Sequence, residues 1–181
     1  MWKKNQRSYR VRKAPEAENK MDPGLPFADL LAYNADETGH WKRWFGENAA
    51  ALDLACDVAG AGSVRSLLLH IFATELFFAN RVLDLPKADH NNLPHATLDE
   101  LFAIHTEAHN KFQEFLAKAT LEKWSTPVSL GFRDFKASKR KMVAQAIWHS
   151  INHRGQLATF LRQQGFKQDW IHDILASKVM G

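Results

Sequence analysis

Residues 146 to 165 read AIWHSINHRGQLATFLRQQG and set His149 and His153 four positions apart in a stretch with a helical apolar repeat. Side chains at i and i+4 share one helix face, so both imidazoles can reach a single ion. The same spacing would suit two polar residues on a wet face, and placement decides between them. At about 100° per residue, Met142, Ala146, His149, His153, Leu157 and Phe160 fall within about 80° of one another. The histidines therefore lie on the apolar stripe, while Arg154 and Arg162 are expected to point elsewhere. Each neutral imidazole has a donor and an acceptor to satisfy, and burying two without partners is costly. A shared divalent cation would resolve this, provided another element supplies a third ligand.

His70, in VRSLLLHIFATELFFANRVLDL, shares an inward stripe with Leu67, Thr74 and Phe77 and is one candidate. A rival pair, His105 and His109, stands in IHTEAH at the same i, i+4 spacing. It straddles the stripe of Leu98, Leu101, Phe102, Phe112 and Phe115, which suits a structural or pocket-lining role. His40, His90, His95 and His172 lie in polar surroundings or loops and look incidental. Glu75, about 140° round the helix from His70, reads first as a surface carboxylate and second as a group supporting the histidine site. Gln156 sits at the edge of the histidine face, where it can hydrogen-bond a ligand, and Gly155 suggests close helix packing.

The elements that must carry these residues are helices. A first is expected over 27–48, followed by a turn at Gly60 and Gly62. A second starts after Ser63 as N-cap and stops before Pro86. A third opens with Thr97 and Glu100 in capping-box register and runs to about residue 118. Residues 120–135, with Pro127 and Gly131, predict a long loop with short extended pieces. A fourth helix is expected over 138–164, ending at Gly165, and a short terminal helix over 168–177. The pattern predicts an all-α, antiparallel four-helix bundle with a short extra C-terminal helix, the bundle domain covering 26–181 and a flexible basic tail covering 1–25.

Composition agrees with one such domain. The 181 residues are 45% hydrophobic and 24% charged, an ordinary globular balance. No apolar run approaches the ~18 residues of a membrane span, and no signal-like segment opens the chain. A single cysteine, Cys56, excludes an internal disulfide framework and suits the cytoplasm. The net charge of +4 is uneven. The first thirteen residues hold six cations and no acid, so the remainder is slightly acidic, and the tail alone gives no case for a nucleic-acid partner. FKASKRKM adds a second basic cluster, which reads first as a solvated charge cluster and, on a functional reading, as a lip attracting anions.

LLLHIFATELFFANRVLDLP and HSINHRGQLATFLRQQG resemble the second- and fourth-helix motifs of the DinB-like proteins, and LLAYNADETGHWKRWF is similar to their first helix. The resemblance covers 27–165. It implies a four-helix bundle holding a divalent metal ion through three histidines, which by motif position are His70, His149 and His153. Zinc or nickel is expected, with iron an alternative. The third-helix histidine pair departs from the family pattern. Some relatives are thiol-dependent transferases using low-molecular-weight thiols, which implies a small-molecule substrate or thiol as partner. Three protein ligands leave a metal with open positions, and such a centre can acidify water or a thiol. A metal-dependent hydrolase, or a non-catalytic stress-related binding protein with a structural metal, therefore remain alternatives. A homodimer is compatible with such a bundle.

Overall fold

The computed structural model describes residues 25–131 and 135–179; the expected basic tail lies outside these except for Leu25. Four long helices account for more than half of the described residues: α1 (Phe27–Glu47), α2 (Val64–Val82), α3 (Leu98–Lys118) and α5 (Lys139–Gln163). A five-residue helix, α4 (Leu121–Ser125), follows α3. Two minimal antiparallel hairpins complete the regular structure. β1 (Ala55–Cys56) pairs with β2 (Gly62–Ser63), and β3 (Pro127–Ser129) with β4 (Lys136–Ser138). The second hairpin and α4 occupy the stretch for which a loop with extended pieces was expected.

Local chemistry sets the helix ends. Ser63, Ser138 and Thr97 each accept a backbone N–H from the third residue onward, and Thr97 with Glu100 forms the reciprocal capping box. α5 stops where Gly165 takes φ 86°, a left-handed conformation that glycine adopts without strain, and Phe166 N–H returns to Leu161 O.

α2 is the central element. Leu67, Ile71, Phe72 and Leu76 are almost wholly buried, and the helix packs against both α3 and α5. α1 packs on the other sides of α3 and α5, so it lies diagonal to α2. Trp41 and Phe45 are its deepest contributions. Each such large apolar side chain contributes about 1.5–3 kcal/mol on burial.

Contacts along the helices give their directions. Arg65 meets Ala96, Phe72 meets Phe102, Glu75 meets His105 and Asn80 meets Lys111, so α2 and α3 run in the same sense. Against α5 the order reverses: Asp84 pairs with Lys139, and His70 with His149. α1 is likewise antiparallel to α3, with Lys42 on Asp99. The bundle is thus antiparallel in its α1–α3 and α2–α5 pairs and parallel between α2 and α3. The connection over 83–97 makes this possible, since fifteen extended residues reach about 50 Å while α2 is about 28 Å long.

The expected short C-terminal helix is realised as a single 3₁₀ turn, Ile174–Ala176, within an otherwise irregular strap. Trp44 donates its indole N–H to Lys167 O, and Trp170 and His172 both donate to Glu37, binding the strap across α1. Among the described residues no helix is long and apolar enough to cross a membrane.

Candidate metal centre

His70 projects from α2 toward α5, where His149 and His153 stand one turn apart on the facing stripe. All three are half-buried, and one potential ligand atom from each lies within 4.8 Å of the others. The ring centroids are 4.8 Å apart for His70–His149, 5.1 Å for His70–His153 and 4.4 Å for His149–His153. His70 Nε2 and His149 Nε2 approach to 3.0 Å. Among the described residues this is the one grouping of three or more potential ligands.

The protonation chemistry suits ligation. Burial, reinforced by His153 and His70, pushes the His149 imidazole down to about 4. Burial likewise lowers His70, helped by His153 and His90. Both rings are therefore neutral near pH 7 and keep a lone pair. His153 donates Nδ1–H to Gln156 Oε1 at 2.6 Å, which leaves its Nε2 as the lone-pair nitrogen. His149 Nδ1 is buried without a partner, so its ring has no protein group to hold one end. Three clustered imidazoles with no carboxylate among them fit a borderline divalent ion that leaves coordination positions free.

Two clefts flank the cluster. One of about 380 Å³ is lined by His70, Ser66, His90, Asn91 and His95 together with residues 59–61 and Leu69. The other, about 540 Å³, includes Gln156, Asn152, Gly155 and Thr159, with Asp57 and Val58 on its rim. The segment between β1 and β2 borders both. It holds Ala59 at φ 54° and Gly60 at φ 70°, and the alanine in left-handed backbone is a strained position.

Beside the histidines lies a polar network that the sequence reading missed. Glu75 is not on the surface; it is 2% exposed in the middle of the bundle. It accepts from Ser150 Oγ at 2.5 Å, Asn34 Nδ2 at 2.9 Å and His105 Nδ1 at 2.6 Å. Arg154 is also interior rather than solvent-facing, donating to Asn34 and Thr38 and lying 3.5 Å from Glu75. Burial alone would raise the Glu75 carboxyl, but His105, Arg154 and Ser150 outweigh it and hold it at about 2. One signal was available: Glu75 is the sole charge in HIFATELFFAN, and a carboxylate inside so apolar a run has to be buried with partners.

Other expected residues fall as follows. His105 serves Glu75 rather than the histidine cluster, in line with the structural role expected of it, and its ring is 6.1 Å from that of His109. His172 is not incidental, because it stacks on Trp41 and bonds Glu37. His90 and His95 share the cleft with His70. Gly155 does not serve close packing, since an added Cβ would meet nothing within 4 Å. Of the basic cluster, Lys139 is buried against Asp84, and neither it nor Arg140 or Lys141 lines either cleft. The cluster therefore forms no anion-attracting lip on either cleft.

Fold and histidine cluster together define a helical bundle with three clustered histidines that could hold a metal ion. The DinB family profile matches residues 19–178, and the chain belongs to the DinB family. No curated protein matches the chain.

Proposed function

We propose that His70, His149 and His153 hold one divalent metal ion, zinc or nickel first, and that the protein is a transferase acting with a low-molecular-weight thiol in the cytoplasm. The observation that carries this reading is the convergence of three imidazoles, with no carboxylate among them, beside two open clefts. Bound there, the ion would keep nearly its full double charge and act as a Lewis acid that favours anionic sulfur.

The chain's own residues account for the rest. Gln156 fixes the His153 ring and its tautomer. The cleft beside His70 offers hydrogen-bonding groups, Ser66, Asn91 and His95, to a small polar molecule. His95 is itself oriented, donating Nδ1–H to Leu93 O at 2.7 Å. Cys56 is unsuited to be the reacting thiol: it is 3% exposed, and burial raises its thiol above the ordinary range, so it stays protonated. It is the chain's one cysteine, so thiol chemistry here calls for an external thiol.

The test is a titration of zinc-loaded, tag-free protein with 2-mercaptoethanol, followed by calorimetry and repeated on the cobalt(II) form by visible absorption. Saturable binding with a change in the cobalt spectrum supports the reading. Absence of both, or ester hydrolysis by the zinc form without thiol, contradicts it.

A further inference from the structure

Glu75 has no place in the ligand set, yet the fold invests more polar contacts in it than in any ligand. Its partners come from all three other long helices: Asn34 on α1, His105 on α3, Ser150 and Arg154 on α5. The two on α5 are the immediate chain neighbours of His149 and His153, and Glu75 itself stands five residues beyond His70 on α2.

We infer that Glu75 is a positioning residue for the three-histidine centre: by gripping Ser150 and Arg154 it fixes the rotation and axial setting of α5 against α2, and with them the distance at which His149 and His153 meet His70. This rests on the reading that the cluster holds a metal ion.

The physical need is one of tolerance. Apolar packing is non-directional and leaves a helix some freedom to turn about its axis. A 20° turn carries an atom at the ~6 Å outer radius of a helix through about 2 Å. Metal–ligand distances hold to about ±0.2 Å, so packing alone is too coarse a ruler. Short hydrogen bonds to an ionised carboxylate are directional and strong, and here one from Ser150, with the Arg154 ion pair at 3.5 Å, joins the two ligand-bearing helices beside the ligands. The low carboxyl value keeps Glu75 ionised throughout the useful pH range.

The experiment measures zinc affinity, the visible spectrum of the cobalt(II) form and melting temperature on tag-free protein. Glu75→Leu is expected to lose zinc affinity 10–100-fold, the range seen when groups supporting metal ligands are removed, and to alter the cobalt spectrum. Glu75→Gln, which keeps an oxygen for Ser150, recovers part of both. Ser150→Ala gives a smaller loss in the same direction and carries the test should the leucine variant not fold. Lys139→Met is the control: it breaks the ion pair of the buried Lys139 with the exposed Asp84 at the start of α5 and should shift the melting temperature while leaving affinity and spectrum unchanged. Wild-type affinity in Glu75→Leu or Ser150→Ala, or an equal loss in Lys139→Met, overturns the inference. A wild-type chain that takes up no zinc refutes the ligand assignment itself, a distinct result seen before any Glu75 variant is compared.

Discussion

An imidazole packed against two others resists protonation, and at His149 the consequence is measurable without metal. Its ordinary value of 6.5 falls to about 4 in the fold. Between those values the unfolded chain binds a proton that the folded chain refuses, so stability of the metal-free protein drops as pH falls through that window. Glu75, held at about 2 against an ordinary 4.5, adds a separate loss at lower pH, between those two values. Thermal melts of metal-free protein from pH 7 to 4 should show the first slope, and His149→Gln should flatten it; equal slopes would contradict the assigned burial. Gln156→Ala should weaken zinc binding about 10–100-fold by releasing the His153 ring, read by competition with a chelator dye. An unchanged affinity would show that the 2.6 Å contact does not support the ligand.

At the scale of elements, the network and the caps make different demands. Arg154→Met leaves Glu75 without its buried cation, and breaking such a pair costs about 3–5 kcal/mol. Thr97→Ala removes one half of an exposed capping box and costs about 1 kcal/mol. Urea unfolding should rank the two in that order, and the reverse ranking would deny the network its structural weight. The helices themselves were legible because caps and period are local: Ser63, Thr97 with Glu100, and Gly165 announce their roles within a few residues. The spacing of His149 and His153 on the apolar stripe was legible for the same reason. Glu75 and Arg154 were misread because their partners are 30 to 120 positions away along the chain, and no periodicity encodes a contact of that kind. The parallel run of α2 beside α3 was hidden likewise, since a long connection permits either direction.

At the scale of the molecule, the C-terminal strap closes one side of the bundle over α1. Glu37 is 6% exposed and receives both the Trp170 indole and the His172 ring at 3.0 Å. Residues 168–177 suggested a helix, but what orders them is this shared carboxylate and the aromatic stack on Trp41, a tertiary cause. Trp170→Ala should destabilise by about 2–4 kcal/mol through lost aromatic burial and an unpaired carboxylate oxygen, with zinc affinity preserved because the strap lines neither cleft. A parallel loss of affinity would mean that the strap and the histidine cluster are coupled. Everything proposed for the site depends on one ion shared between α2 and α5. The most direct measurement is elemental analysis of tag-free protein, wild type beside His70→Ala and His149→Ala. The account predicts one bound divalent ion per chain in the wild type and essentially none in either variant; an empty wild type, or variants that keep the ion, would contradict it.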